Sequence, residues 1–117
     1  TGKPYLLYGT MGGEGQPQTQ AAIVTRVVDF GMTPQEAIAA PRWLYGRTWG
    51  ASSNDLKLEG RIPQKVADEL KRRGHPVRLI ENYTDTMGHA GAILVDQATG
   101  LRQGGTDPRG DGAAVAY

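Results

Sequence analysis

A glycine-rich turn is the stretch of this sequence whose residue types and spacing best suit chemistry. It reads Gly12-Gly13-Glu14-Gly15 and lies between an apolar run and a helical pattern. Glycines let the backbone turn tightly, and a helix that begins there exposes backbone N–H groups at the positive end of its dipole. Such a point stabilises a negatively charged oxygen on a phosphate, a carboxylate or a reaction intermediate. The turn therefore predicts an anion site and leaves these three occupants open.

The glycine spacing argues against a nucleotide phosphate as that occupant. It does not match the dinucleotide-binding fingerprint, and no Gly-Lys-Ser/Thr follows it as in a Walker loop. A tight strand-to-helix turn without any ligand is the plainer alternative. Choosing between a reaction site and a bare turn needs evidence from elsewhere in the chain.

Strands and helices that alternate along the chain position this turn. Periodicity and turn residues predict strands at 4–9, 42–47, 56–59, 76–80, 90–96 and 101–106, and helices at 18–30, 34–40 and 63–73. The sharpest helix start is Thr33 as N-cap with Pro34 first in the helix and Glu36 completing a capping box. Because strands and helices alternate early and strands pair late, the predicted fold class is α+β.

Burial is also predicted from the patterns. The first strand, at 4–9, is apolar throughout, which indicates burial on both faces. The strand at 56–59 alternates apolar and charged residues, as a half-buried strand does. The polar segment 82–87 predicts an exposed loop. For Asp107 and Arg109 we favour a partly buried ion pair that pins the C-terminal end, although Arg109-Gly110-Asp111 also spells an adhesion triplet.

Composition narrows the partners. The chain of 117 residues suits one domain or one large piece of a bigger protein, and its charge of +1 gives no reason to expect nucleic acid. It has no cysteine and no apolar run near the ~20 residues of a membrane span. His75 and His89 have no carboxylate at metal-ligand spacing from both, so we expect no metal, and we expect no cofactor. For His89 a structural hydrogen bond is the favoured role over a place in a cleft. Localisation stays open.

Several motifs, in the same order, resemble the γ-glutamyltranspeptidase family. They are Gly9-Thr10-Met11-Gly12-Gly13, the helix 18–30, the stretch 31–42, Met87-Gly88-His89-Ala90, Gly104-Gly105-Thr106-Asp107-Pro108-Arg109 and the terminal Tyr117. The resemblance covers nearly the whole chain and corresponds to the C-terminal portion of the family's small subunit. Residues 1–117 are therefore interpreted as one segment of that subunit.

The resemblance implies an N-terminal-nucleophile hydrolase, a four-layer αββα sandwich whose precursor cleaves itself to free a threonine. That threonine attacks a γ-glutamyl amide, and the acyl group passes to water or to an acceptor amine. The family's adjacent glycine pair, which supplies the oxyanion-hole N–H donors, falls on Gly12 and Gly13. The implied partners are the missing N-terminal part and large subunit of the same precursor and a small acyl-amide substrate.

The departures from the family pattern are informative as well. The nucleophile motif, a threonine followed by Thr-His-x-Ser, is absent, and so are the substrate-binding segments. Thr1 stands where the family has a turn before the first strand, so we expect a fragment boundary there and not the nucleophile. Met11 replaces a proline common in transpeptidases, which favours the branch with cephalosporin-acylase-like members. The acyl donor is thus open.

A second hypothesis comes from a different class of protein. The chain would be a free-standing α+β module that holds a small anion at its glycine turn without catalysing a reaction. This hypothesis predicts cooperative unfolding of the isolated chain and stabilisation by the ligand.

Overall fold

The computed structural model describes residues 2–49 and 52–117. The elements are β1 Leu6–Met11, α1 Gln16–Val28, α2 Pro34–Ala39, β2 Trp43–Tyr45, β3 Leu56–Glu59, α3 Gln64–Arg72, β4 Val77–Ile80, β5 His89–Val95 and β6 Arg102–Thr106, with short 3-10 turns at Gly13–Gly15 and Asp85–Met87. Every predicted strand and helix is present, and no end differs from its prediction by more than two residues. The α+β class is confirmed.

The first sheet carries the glycine turn at the end of β1. Its strand order is β1-β5-β6, and both pairs are antiparallel. Helices α1 and α2 lie on one face, where Ile23 and Ile38 pack on Ala90, Ala92 and Leu6. Burial of these side chains fixes α1 against the sheet, and thereby fixes the turn that joins β1 to α1.

The opposite face of this sheet is open, which corrects the prediction that the first strand is buried on both faces. Leu7 lies directly across from Ile93, so the two share a face, and they are 48% and 44% exposed. A shallow groove of about 570 Å³ runs over this face beside Ala113–Val115. The prediction of a strand for this apolar run is confirmed, but within the described residues only one face of β1 has a covering layer.

The second sheet has the order β2-β3-β4, with β2 and β3 antiparallel and β3 and β4 parallel through α3. Leu56, Leu58 and Ala67 form its core. All four residues of β3 are buried, so the prediction of a half-buried strand is wrong. Lys57 and Glu59 lie on the face away from α3. Their charges can be buried there because both side chains make ion pairs and hydrogen bonds.

The link between α2 and the first sheet begins with a capping box, as predicted. The Thr33 side chain accepts from the Glu36 N–H, and Glu36 accepts from the Thr33 N–H. Gln35, which lies between these two residues, closes the edge of β6: its amide donates to the Thr106 carbonyl at 2.9 Å and accepts from the Thr106 N–H at 3.0 Å. The side chain thus replaces a neighbouring strand at that edge.

Within the described residues, no helix is long and apolar enough to cross a membrane.

Candidate active site

The turn between β1 and α1 places Gly12 and Gly13 in backbone conformations that L side chains rarely adopt. Gly12 has φ of +136° and Gly13 has φ of +57°. Gly13–Gly15 form one 3-10 turn that leads directly into α1 at Gln16. The chain therefore leaves the ladder of β1 abruptly and enters a helix, which is the geometry that exposes backbone N–H groups.

Two amides of this turn are left out of the backbone hydrogen bonding seen among the described residues. Within residues 2–49 and 52–117, neither the Gly12 N–H nor the Gly13 N–H donates to a backbone carbonyl. The Gly12 carbonyl, in contrast, accepts twice, from the Gly15 N–H at 3.1 Å and from the Thr48 hydroxyl at 2.9 Å. The turn is thus fixed through its carbonyl oxygen while its donors are left out of the β ladder. Gly12 is buried and Gly13 is exposed.

A second glycine backbone supports the turn from the side of β5. Gly88 has φ of +70°, and a β-carbon placed on it would overlap the Met11 carbonyl. The two segments can approach this closely because neither Gly88 nor Gly12 has a β-carbon, and a β-carbon on Gly12 would lie 2.9 Å from the Gly88 α-carbon. The segment before β5 therefore forms one wall of the glycine turn.

A buried ion network lies behind Gly88. We define it as Arg42, Glu59, Asp107 and Arg109, all of which are buried. Arg109 makes two bonds to Glu59, at 2.6 and 2.7 Å, and one to Asp107 at 3.0 Å. Arg42 donates to Asp107 at 2.6 Å and to the Met87 and Gly88 carbonyls at 3.2 and 3.1 Å. The network thereby joins the C-terminal loop to the wall of the glycine turn.

The charges of this network perturb one another. Burial alone would raise the pKa of Glu59, but hydrogen bonds from the Arg109 side chain and the Arg42 N–H outweigh it, and the pKa lies below its ordinary value. Burial, reinforced by the positive charge of Arg109, lowers the pKa of Arg42. Burial likewise opposes the charge on Arg109, but its bonds to Glu59 outweigh this and raise its pKa. The contact between Glu59 and Arg109 thus favours the ionised form of both groups.

The loop between β2 and β3 reaches the glycine turn from the other side. The ammonium of Lys57 has three acceptors: the carbonyls of Gly46 and Ser53, at 2.7 and 2.9 Å, and the Asp55 carboxylate at 2.6 Å. These bonds use all three of its donors, which permits a fully buried lysine. The Lys57 ammonium thus holds both ends of the loop that carries Thr48.

The other residues that the sequence singled out have different outcomes in the structure. The predicted pair of Asp107 and Arg109 is confirmed and lies deeper than expected; with Arg109 buried, the adhesion triplet is not displayed. His75 is exposed after α3, whereas the ring of His89 is half-buried against Gly110. The Nε2 of His89 is buried and has no hydrogen-bond partner among the described residues, so the structural hydrogen bond favoured for this residue is not found. Thr1 lies outside the described residues. No group of three or more histidine, aspartate and glutamate side chains in the described ranges is placed to hold a metal ion.

Three residues of the turn's surroundings were missed from the sequence. Thr48 and Lys57 occur in or next to a polar loop without any motif, and the contact of Thr48 is with Gly12, 36 positions away. Gly88 had a signal, since it stands in the Met87-Gly88-His89 motif. Met87 also corrects the prediction of an exposed loop at 82–87, because it is only 3% exposed.

The chain is similar in sequence and in fold to several known proteins. The sequence model described as gamma-glutamyltranspeptidase matches residues 1–117. A glutathione hydrolase-like YwrD proenzyme of Bacillus subtilis is 58% identical over 97% of this chain and 22% of its own length. An oxamate amidohydrolase proenzyme of Klebsiella pneumoniae is 53% identical over 96% of this chain and 21% of its own length. The crystal structure of cephalosporin acylase from Bacillus halodurans superposes with a TM-score of 0.83, at 34% identity, over 94% of this chain and 19% of that one.

The fold defines the class of this chain as an N-terminal-nucleophile hydrolase fold of the α+β type. The chain belongs to the γ-glutamyltranspeptidase family. It spans about a fifth of the length of the curated relatives that it matches.

Proposed function

We propose that this chain is the C-terminal segment of a longer γ-glutamyltranspeptidase-like hydrolase, below called the parent protein. In this proposal Gly12 and Gly13 supply the oxyanion-hole N–H donors for an acyl-transfer reaction. The nucleophilic threonine and the groups that bind the substrate come from the rest of the parent protein.

The observation that carries this proposal is the state of the two amides. An oxyanion hole needs donors that are oriented in advance and not engaged with protein acceptors. Within the described residues, the Gly12 and Gly13 N–H groups are left out of the β ladder, while the Gly12 carbonyl is held by two donors. This geometry favours a carbonyl oxygen that gains negative charge over a bare structural turn.

The surfaces around the turn support a larger assembly. Strand β1 is at an edge of its sheet, and the face that carries Leu7 and Ile93 is open and apolar. Both features expose surface that a folded protein covers, by another strand at the edge and by another layer on the face. We propose that the rest of the precursor, including its large subunit, provides both.

The reaction class is hydrolysis or transfer of an acyl group from an amide. The family is named for γ-glutamyl transfer, and one relative is named an oxamate amidohydrolase. Both names describe reactions at a carbonyl carbon, for which an oxyanion hole serves equally. The acyl donor is therefore a small amide, with γ-glutamyl amides and oxamate as the first to test.

The decisive experiment removes one N–H without changing the backbone conformation. Proline at Gly13 is unsuitable, because its φ of about −65° cannot replace the observed +57°. A backbone ester, made by placing glycolic acid at Gly13 of the parent protein, replaces the N–H by an oxygen while it also weakens the Gly12 carbonyl as a hydrogen-bond acceptor. We expect kcat to fall roughly 100- to 1,000-fold. The same ester at Gly31, which has a similar φ of +66°, is the matched control.

An unchanged kcat in the Gly13 ester would remove that amide from the site. The 117-residue chain alone should show no turnover above background. Turnover by the isolated chain that is lost on Thr1→Ala would overturn the assignment of the nucleophile to the rest of the parent protein. A cooperative melt of the isolated chain that shifts upward with phosphate or glutamate, together with an inactive parent protein, would instead favour the anion-binding module.

A further inference from the structure

The peptide between Gly12 and Gly13 is the softest unit of the proposed oxyanion hole. Glycine has no β-carbon to restrict φ and ψ, so a peptide between two glycines rotates more easily than any other. An oxyanion donor is effective only if its direction is fixed before the reaction. Something outside the turn must therefore restrain this peptide.

The two amides are restrained in different ways. The Gly12 N–H belongs to the peptide of the Met11 carbonyl, which packs against the backbone of Gly88. The Gly13 N–H belongs to the peptide of the Gly12 carbonyl, which is held by hydrogen bonds from the Gly15 N–H and the Thr48 hydroxyl. Sterics fix the first peptide, and hydrogen bonds fix the second.

The Thr48 hydroxyl controls the direction of the Gly13 N–H through the planarity of the peptide. In a trans peptide the carbonyl and the N–H lie in one plane and point in opposite directions, and the chain has no cis peptide bond in the described residues. A hydroxyl that fixes the Gly12 oxygen at 2.9 Å on one side therefore fixes the Gly13 hydrogen on the other. The Gly15 bond is part of the turn itself, so Thr48 is the restraint from outside.

Thr48 is itself rigidly placed. Its residue is only 6% exposed. The loop before it is anchored where the Gln18 amide donates to the Tyr45 carbonyl at 2.9 Å and accepts from the Tyr45 N–H at 2.8 Å. The Lys57 ammonium then holds the Gly46 carbonyl at 2.7 Å. Anchors on both α1 and β3 thus transmit their rigidity to the Thr48 hydroxyl.

We propose that Thr48 is a positioning residue of the acyl-transfer reaction, which orients the Gly13 N–H by holding the Gly12 carbonyl. This inference rests on the proposed function and adds to it a residue outside the glycine pair. It places part of the catalytic geometry in the β2–β3 loop.

The test compares pairs of variants of the parent protein that differ in the hydroxyl. Thr48→Val keeps the shape of the wild-type side chain but removes the donor. Thr48→Ser and Thr48→Ala both lose the methyl group, and only the serine keeps the hydroxyl. Steady-state kinetics are measured with γ-glutamyl-4-nitroanilide and with oxamate, and kcat is normalised to the fraction of precursor that has been cleaved.

We expect Thr48→Val and Thr48→Ala to lower kcat about 10-fold. The Gly13 N–H is still present in these variants but is no longer held in one direction, so the loss should be smaller than when the N–H is removed. KM should stay within about twofold, since the restraint acts on the transition state. Thr48→Ser should restore kcat to within about twofold of the wild type. A purely structural role would instead lower the melting temperature and the active fraction without this split between kcat and KM.

Equal kcat in the wild type and Thr48→Val, or equal loss in Thr48→Ser and Thr48→Ala, would overturn the role of Thr48 alone. The serine–alanine pair decides the matter if Thr48→Val folds poorly. A wild-type parent protein that hydrolyses neither amide would overturn the proposed function, and this inference with it.

Discussion

Gly12 and Gly88 touch through their backbones. A β-carbon on Gly12 would lie 2.9 Å from the Gly88 α-carbon, closer than real β-carbons approach. Gly88 also contacts the Met11 carbonyl, so the two segments cannot approach any closer. The wall formed before β5 thus sets how tightly β1 turns into α1.

This contact predicts unequal effects of alanine at the two glycines of the turn. Gly12→Ala must displace Gly88, and it also strains a residue at φ of +136°, so we expect kcat of the parent protein to fall by about 100-fold or more. Gly13→Ala meets only Thr48 and Trp49 at 3.5 Å, in ordinary contact, and its φ of +57° is accessible to alanine at a cost of about 1–2 kcal/mol. We expect less than about a 10-fold loss there. Similar kinetics for the two variants would contradict the role of the Gly88 contact.

The buried ion network predicts a large loss of stability when one charge is removed. Arg109→Met leaves the buried carboxylates of Glu59 and Asp107 without their common partner. Breaking a buried pair in this way costs about 3–5 kcal/mol. We expect a loss of this size in the free energy of unfolding, measured by urea unfolding of the parent protein. Arg72→Met, which removes an exposed pair with Glu69, is the control and should leave the curve unchanged. Equal effects of the two variants would refute a stabilising role for the network.

Acid should weaken the fold through Glu59. Its pKa in the folded state is below the ordinary value of 4.5, so the unfolded chain binds a proton more readily than the folded chain does. The stabilisation is therefore complete above pH 4.5 and is lost as the pH falls through the folded pKa. Unfolding measured between neutral and acidic pH should show this decline, and Glu59→Gln should reduce it. Glu69→Gln, which changes an exposed carboxylate, is the control and should keep the loss of unfolding free energy that Glu59 causes in acid. If Glu59→Gln and the wild type lose the same unfolding free energy in acid, Glu59 is not the source of the loss.

The Gln35 side chain predicts how the edge of β6 is protected. Gln35→Leu removes both bonds to the Thr106 backbone and exposes an unpaired N–H and C=O. We expect a loss of about 1 kcal/mol in unfolding free energy and more self-association, because water can replace the lost bonds but the strand edge becomes accessible. Gln64→Leu, which loses one exposed bond to Asp68, is the control in light scattering and urea unfolding. An unchanged association state in Gln35→Leu would show that the edge is protected by other means.

The sequence was sufficient for the elements that local physics decides. The Thr33 capping box and the stop at Gly31, with φ of +66°, depend on neighbours within a few residues, and both occur where predicted. Hydrophobic periodicity likewise located the helices and strands to within two residues. The ordered motifs were sufficient for the family, because they are spread over almost the whole chain.

Burial could not be read from the same patterns. Leu56–Glu59 alternates as a half-buried strand does, yet Glu59 is buried because Arg109 binds it across 50 positions of the chain. Lys57 is buried because its ammonium binds the loop between β2 and β3. Leu7 is apolar in a strand and nevertheless exposed, because burial depends on what lies above a face and not on the residue itself. Both misreadings concern which layer covers a strand.

The amino-acid order alone determined that a glycine turn joins a strand to a helix, because glycine's freedom and helix capping are local properties. Only the tertiary structure decided what holds that turn. Thr48 contacts Gly12 across 36 positions, and Arg42 reaches Gly88 across 46. Contacts between residues so far apart in the chain arise only when the sheets and helices pack, so no local pattern records them.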